Sequence, residues 1–216
     1  WGGAMVSMPF LTILYGPVEA LVIMIIGALL VTGSLFPTAA RIADWRRMTP
    51  ILIGMAVCVP IGNLLLFALE PNLIRRIIGW LIVGASILIL SGWRYSGPQG
   101  AGASATTGAI SGLINGFVGL GGPPLVIYML ALKLSAAVQR ANALVFMAIT
   151  SVLVLGSTFV GGGVTLENSF IGVLTAPFQI AGGWLGARLF LKLPVELFKK
   201  FSLVALIVLG GIVAFL

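Results

Sequence analysis

Long apolar runs recur along this sequence, and they constrain its fold more than any other feature. A membrane-spanning helix needs about 20 predominantly apolar residues, and six segments reach that length. They cover approximately residues 17–38, 50–69, 74–93, 138–160, 168–190 and 197–216. Charged residues make up only 8% of the chain, whereas a soluble domain carries roughly a quarter. The sequence therefore predicts an all-α polytopic membrane protein.

The net charge of +7 does not indicate a nucleic-acid partner. The basic residues form short clusters between apolar runs, as expected for charges that orient membrane helices. With the loop that carries Arg41, Arg46 and Arg47 on the cytoplasmic side, most other Lys and Arg residues also fall on that side. Arg75 and Arg76, which follow Glu70, are the exceptions. We therefore expect the chain to be embedded in membrane lipid, and we expect no nucleic-acid partner.

The stretch GFVGLGGPPLVIYML (Gly116–Leu130) interrupts the apolar pattern with glycines and two consecutive prolines. The segments on either side, 104–118 and 123–134, are too short to span comfortably. They could form a re-entrant hairpin or two full spans. Residues 1–14 resemble the second member of such a pair. Because the chain opens at Trp1 without an initiating Met, we expect residues that precede Trp1 to be missing from the sequence as given.

Two phrases occur twice in the same order, which indicates an internal duplication. GNLLLFALEPNLIRR (Gly62–Arg76) resembles GARLFLKLPVELFKK (Gly186–Lys200), with a glycine, an apolar run, a proline and a basic pair in matching places. GGAMVSMPFL (Gly2–Leu11) likewise resembles GGPPLVIYML (Gly121–Leu130). The polar stretch between the two copies, SGPQGAGAS, reads as a linker.

The duplication predicts a division of the chain into a first repeat at 1–95, a linker at 96–103 and a second repeat at 104–216. Together they form one transmembrane domain. Each repeat would hold a Gly/Pro-broken re-entrant helix pair and three long transmembrane helices. Three is an odd number, so the second repeat would be inverted relative to the first. Inverted repeats with short, interrupted segments at matching positions are typical of secondary transporters.

The Gly/Pro break predicts an anion site. Glycines allow a tight reversal, and prolines suit the first turn of a new helix. The N-terminus of that helix would carry about half a positive charge and free N–H groups in mid-membrane, which favours an anion. Close packing of helices on glycine is the alternative. The candidate substrate-binding residues of the two copies are Gly2, Gly3, Gly121, Gly122, Pro123 and Pro124.

Other polar residues at membrane depth are weaker candidates. Asn115 and Tyr128 flank the break, and Gln179 lies within a predicted helix, so we add these three to the substrate-binding set. Most such side chains only bond neighbouring helices.

Three charged residues are candidates for a charge or coupling role. Arg140 and Arg188 are candidates because a charge within the membrane is costly and usually functional. Both lie near predicted helix ends, so the alternative is that their side chains extend to the membrane interface. Glu19 follows a predicted helix start, where an acid also complements the helix dipole.

The sequence offers nothing for catalysis or for a cofactor. It has no histidine, no cysteine cluster, no paired carboxylates and no phosphate-binding loop. We therefore expect neither an enzyme nor a metal or cofactor site.

Four motifs resemble those of the TauE/SafE sulfite exporter family, also called TSUP. They are the break at Gly119–Val126, its partner WGGAMVSMP, the phrase ADWRRMTPILIG and the repeated phrase with a glycine, a proline and a basic pair. The resemblance implies a multi-pass permease of the bacterial inner membrane that moves sulfite, thiosulfate, sulfoacetate or similar small anions. It also implies that the two glycine-rich motifs are functional. The first copy departs from the pattern, since Ala4 and Met5 replace the two prolines.

The sequence as a whole predicts a secondary transporter of a small sulfur-containing anion that works by alternating access, with the anion held at half-helix N-termini. A passive anion channel and a non-transporting membrane scaffold are the alternatives. The exact anion, the direction of transport, the coupling ion and the formation of a homo-oligomer stay open.

Overall fold

The computed structural model describes residues 2–92, 95–132, 134–192 and 195–215. Within these ranges, side chains are described for all residues except 2, 3, 183, 184, 186, 187, 189–192 and 195–201. All statements below concern this part of the chain.

The described residues form nine α-helices, and the prediction of an all-α fold is confirmed. The helices are α1 (Gly2–Tyr15), α2 (Pro17–Ile42), α3 (Trp45–Ala68), α4 (Pro71–Leu90), α5 (Ala101–Val118), α6 (Gly122–Ala131), α7 (Ala136–Val160), α8 (Leu166–Lys192) and α9 (Val195–Phe215). Four of them, α2, α3, α4 and α7, are long and apolar enough to cross a membrane. The chain is a membrane protein, and the inverted repeat stays a prediction.

Local sequence explains where several helices begin. Pro17 and Pro71 occupy the first position of α2 and α4, where a missing N–H is not needed. From its basic residues we expected Arg41–Pro50 to form a loop. This expectation is wrong, because only residues 43 and 44 leave the helical conformation. Asp44 caps α3 by accepting from the N–H of Arg47, and this cap allows the helix to begin before Pro50.

Helices α3 and α5 lie so close together that their backbones touch through glycine. A Cβ added to Gly108, Gly112 or Gly116 would overlap the backbone of α3. The facing residues are Ile51, Met55 and Val59, respectively. Each step of four residues along α5 matches a step of four along α3, so the two helices run parallel at the close distance that small residues permit.

Helices α3 and α8 pack against α2 and α7, and α2 and α7 are antiparallel. At one end the N–H of Asp44 donates to Asn142 Oδ1 at 2.9 Å, and at the other end Val18 lies against Gly163. Asn63 joins three helices, since its Nδ2 donates to Thr158 Oγ1 on α7 (2.8 Å) and to the carbonyl of Gly116 on α5 (3.3 Å).

Helix direction places most basic side chains at one end of the bundle, which we call the basic end. It contains the α2–α3 connection with Arg41, Arg46 and Arg47, the start of α7 with Arg140, and the 95–100 linker. Arg75 and Arg76 begin α4 at the opposite end. This distribution is the one predicted from the positive-inside rule.

Helices α4 and α9 form a pair of their own. Gly79 approaches Gly210 and Ala214 so closely that a Cβ would lie 2.5 Å from their backbone atoms, and Trp80 packs edge-on against Phe215. Beyond this pair, α4 and α9 both contact α1, and α4 has a small contact with α2. The α4–α9 pair is therefore attached to the remaining helices mainly through α1.

Candidate functional site

Helices α5 and α6 form a hairpin with its tip at residues 119–121. Near the tip, the N–H of Gly121 points to Asn115 Oδ1 (3.4 Å), and further down Tyr128 Oη lies 2.8 Å from Ser104 Oγ. At the open end of the hairpin, Gln99 Nε2 donates to the carbonyl of Ala131 at 3.0 Å. Helix α6 thus returns to the basic end, where α5 began.

The tip of the hairpin lies deep within the bundle. Gly121 packs on the Ser111 carbonyl, and Ser111 precedes Gly112, which faces Met55 of α3. Met55 is close to the middle of α3 (Trp45–Ala68). The N-terminus of α6 therefore lies level with the middle of a helix that is long and apolar enough to cross a membrane.

Two glycines are required at the tip for different reasons. Gly119 ends α5 in the left-handed region at φ 72°, which other residues adopt only with strain. Gly121 has an ordinary φ of −70°, but an added Cβ would overlap the Ser111 carbonyl and lie 2.6 Å from Asn115 Cβ. Both glycine roles shape the reversal predicted from the sequence.

The α6 N-terminus offers fewer backbone donors than we expected. The N–H of Gly121 is directed to Asn115, and Pro123 and Pro124 have no N–H. Of the residues 121–124 at the start of α6, Gly122 therefore has the one N–H that is left to donate to a ligand. The two prolines that help the helix to begin therefore also reduce the number of hydrogen bonds that an anion could accept there.

Ser111 supplies a further polar group beside the tip. Its side chain is fully buried, with 0% exposure, and its hydroxyl has no hydrogen-bond partner among the described residues. Unpartnered buried hydroxyls are uncommon because each costs free energy. The sequence gives no sign that this hydroxyl is buried without a partner, and it is the Ser111 carbonyl that lies against Gly121.

A cavity of about 530 Å³ lies between α1, α4, α5 and α6. It extends from the basic end to the hairpin tip. Its walls are mostly apolar, and no charged residue is found among the residues that line it. These are Met5, Trp80, Leu81, Gly84, Ala85, Leu88, Tyr95, Ala103, Thr106, Thr107, Ile110, Ile114, Leu120, Pro123, Pro124, Ile127 and Tyr128.

Two tyrosines form part of the cavity wall toward the basic end. Tyr128 is 2% exposed, and its hydroxyl is paired with Ser104. Tyr95 packs edge-on against it with the ring centres 5.5 Å apart, and its hydroxyl donates to the carbonyl of Pro98. Tyr128 was a candidate because it follows the break. Tyr95 was missed because the linker sequence does not show which helices it will contact.

The structure brings some predicted residues to the cavity and separates others from it. Pro123, Pro124 and Tyr128 line the cavity, while Gly121, Gly122 and Asn115 form the adjacent tip. Gln179 lies elsewhere, because its amide packs against Gly27 between α2 and α8.

The first glycine motif can be placed only in part. Gly2 and Gly3 begin α1, but their surroundings lie outside the described residues. Met5, one turn further along α1, lines the cavity, so this helix does reach the region where the sequence predicts a second helix end.

The three charged candidates lie away from the cavity, near helix ends. Glu19 is exposed in the first turn of α2, at the end opposite the basic end. Arg140 is exposed near the start of α7, and Arg188 is exposed about one turn before the end of α8. The position of Glu19 fits a role in complementing the helix dipole. The positions of the two arginines fit side chains that extend to the membrane interface.

Among the described residues, no group of three or more His, Cys, Asp or Glu side chains is placed to hold a metal ion. The polar groups around the tip are hydroxyls, an amide and backbone N–H groups, which are suited to binding rather than to proton transfer or nucleophilic attack.

Comparison with known proteins gives one match. The profile of the family described as "Sulfite exporter TauE/SafE" matches residues 1–213. No curated protein and no solved structure matches the chain. The family match covers nearly the whole sequence and agrees with the motifs around the hairpin tip. The chain therefore belongs to the TauE/SafE sulfite exporter family.

Proposed function

We propose that this protein is a secondary transporter that moves sulfite, sulfoacetate or a similar small sulfur-containing anion across the bacterial inner membrane. The observation that carries the proposal is the depth of the α6 N-terminus, which lies at the level of Met55 in mid-α3 and beside a cavity. A helix N-terminus inside a membrane is the arrangement by which interrupted helices bind anionic groups in transporters.

The electrostatics of the tip favour a weakly held anion. The dipole of α6 contributes about half a positive charge, and the Gly122 N–H can donate a hydrogen bond. No Lys or Arg lines the described cavity. A site that stabilises an anion through dipoles and few donors binds it without a fixed counter-charge, and weak binding allows release on the other side.

The helix packing supports the proposed inverted repeat. If α2, α3 and α4 correspond to α7, α8 and α9, the contact of α2 with α8 corresponds to that of α7 with α3, and both occur. The α2–α7 and α4–α9 contacts would each join equivalent helices. Thr32 and Ser151, at matching places on α2 and α7, are both buried and bond back to carbonyls four residues earlier.

Alternating access requires two bodies that can move relative to each other. The α4–α9 pair is one candidate, because it is tightly packed internally and is joined to the other helices mainly through α1. The cavity lies between α4 and the α5–α6 hairpin. We propose that movement of α4–α9 against the hairpin opens and closes access to the tip.

Flux into liposomes that contain the purified protein tests this proposal. We expect saturable uptake of sulfite at carrier rates, with competition by sulfoacetate and little competition by chloride. Flux far above carrier turnover, or single-channel currents, would instead identify a channel. Absence of both flux and anion-dependent stabilisation would favour a scaffold.

A further inference from the structure

We propose that Tyr95 is the gate of the cavity at the basic end. Its ring closes this end in the structure described here, and displacement of the ring together with the 95–100 linker opens the cavity to water. This inference rests on the proposed function, because a gate is needed only if an anion passes through the cavity.

The ring of Tyr95 lies between the linker and the cavity. On one side it is in contact with Gly97, where an added Cβ would lie 2.7 Å from Tyr95 Cζ. On the other side it packs edge-on against Tyr128, with the ring centres 5.5 Å apart. Most of the linker is exposed, whereas Tyr128 is buried, and both tyrosines line the cavity. Tyr95 is therefore the layer that separates the cavity from the exposed linker.

The two tyrosines are held in different ways. Tyr128 Oη lies 2.8 Å from Ser104 Oγ, and both side chains are buried, so this bond ties α6 to α5 inside the protein. The Tyr95 hydroxyl instead donates to the carbonyl of Pro98, at 3.0 Å and in an exposed place. Pro98 belongs to the same linker. Tyr95 is thus attached to the linker and can move with it, while Tyr128 stays with the hairpin.

The linker is fastened to the hairpin by a bond that is easily broken. Gln99 Nε2 donates to the carbonyl of Ala131, the last residue of α6, at 3.0 Å. This bond is exposed, and water can replace either partner, so its net contribution to stability is small. The linker can therefore separate from α6 without the loss of a buried contact between helices.

The proposed motion of the helices also acts on this gate. The linker joins α4 to α5 along the chain, and α4 belongs to the pair that we propose to move against the hairpin. Such a movement would displace the linker, and Tyr95 with it. One motion would then both widen the cavity and open its basic end, as alternating access requires.

A reporter thiol inside the cavity tests the gate without any transport measurement. With Cys58→Ser as the background, Thr107→Cys places one thiol on the cavity wall. In liposomes, a charged, membrane-impermeant thiol reagent reaches it only through an aqueous opening. Tyr95→Ala removes the ring, and Tyr95→Phe keeps the ring but removes the bond to Pro98. Tyr15→Ala, at the exposed end of α1, is the matched control.

We expect Tyr95→Ala to speed the modification of Thr107→Cys roughly tenfold, because a gate that is open in about a tenth of the molecules becomes open in all of them. Tyr95→Phe should give a rate between the two, and Tyr15→Ala the parent rate. Gly156→Cys on α7 is a second reporter outside the cavity lining, where an added side chain meets no atom within 4 Å. Its rate should not change, and thermal unfolding checks that each variant folds.

The opposite change holds the gate closed. Gln99→Cys with Ala131→Cys, again in the Cys58→Ser background, allows a short reducible cross-link to replace the bond between the linker and α6. We expect the cross-link to abolish sulfite flux and a reductant to restore it. The two single-cysteine proteins, treated in the same way, should keep their flux.

Two results would contradict a gate at Tyr95. Equal modification of Thr107→Cys with and without the Tyr95 substitutions would mean that the ring does not close the cavity. Full flux in the cross-linked protein would mean that the anion does not pass this end. Absence of sulfite flux in the parent protein would contradict the proposed function instead, and the modification rates would still decide whether Tyr95 closes the cavity.

Discussion

At the scale of single residues, the hairpin tip depends on which backbone groups are available. Asn115 Oδ1 accepts a hydrogen bond from the N–H of Gly121, and the two prolines have no N–H to donate. Asn115 could be predicted to lie at the break because it is close in sequence. Gln179 could not be placed, because its position depends on how α8 packs against α2, and one helix sequence does not determine that packing.

Pro124→Ala tests the role of the missing donors. The substitution adds one N–H to the first turn of α6 without a change in charge. If the anion lies at this helix end, the added hydrogen bond to a charged group is worth about 1.5 kcal/mol or more, so we expect the dissociation constant for sulfite to fall roughly tenfold. Isothermal titration of the detergent-purified protein measures this change.

The control for this prediction is Pro37→Ala in α2, which also replaces a proline inside a helix but is not part of the cavity lining. An unchanged affinity in Pro124→Ala, together with normal stability, would mean that the anion does not accept hydrogen bonds from this helix end.

At the scale of helices, the sequence predicts which segments are helical better than it predicts which helices touch. Lengths and apolar content located the long helices, although not all of their ends. The α3–α5 contact was not foreseen, because Gly108, Gly112 and Gly116 form a small-residue pattern that fits many partners. The start of α3 was missed for a different reason, since the Asp44 cap allows basic residues to form its first turn.

Gly108→Ala tests whether the α3–α5 contact stabilises the hairpin. The new Cβ would overlap the carbonyl of Ile51, and overpacking of this kind typically costs about 1–3 kcal/mol. Gly84→Ala is the matched control, because its Cβ meets open space and alanine favours a helix by up to about 1 kcal/mol. We expect thermal unfolding to show a lower melting temperature for Gly108→Ala alone. Equal stability of both variants would mean that the two backbones are less closely packed.

At the scale of the whole molecule, the bundle consists of a core that contains the hairpin and a peripheral α4–α9 pair. The family could be predicted from sequence motifs that span the chain. The cavity could not, because apolar residues that line it, such as Trp80 and Ile110, have the same composition as residues that face lipid.

A cross-link between α4 and α5 tests whether the α4–α9 pair moves. The chain has one cysteine, the half-buried Cys58, so Cys58→Ser removes the background. In that protein, Gly84→Cys and Ile110→Cys place one thiol on the α4 wall and one on the α5 wall of the cavity. We expect a short bifunctional thiol reagent to abolish sulfite flux reversibly.

The single-cysteine proteins treated with the same reagent control for blockage by the reagent itself. Full flux in the cross-linked protein would show that α4 and α5 keep their separation during transport. That result would contradict movement of α4–α9 against the hairpin.

Stabilisation of the protein by sulfite, measured as thermal unfolding in detergent, tests directly whether the anion binds at the hairpin tip. A ligand at a hundred times its dissociation constant adds about 2.7 kcal/mol of stability. We predict this gain for the wild type and for Gly156→Leu, but not for folded Gly122→Leu, in which the new side chain lies at the start of α6. Equal stabilisation of all three proteins would place the anion away from the hairpin tip and contradict the account.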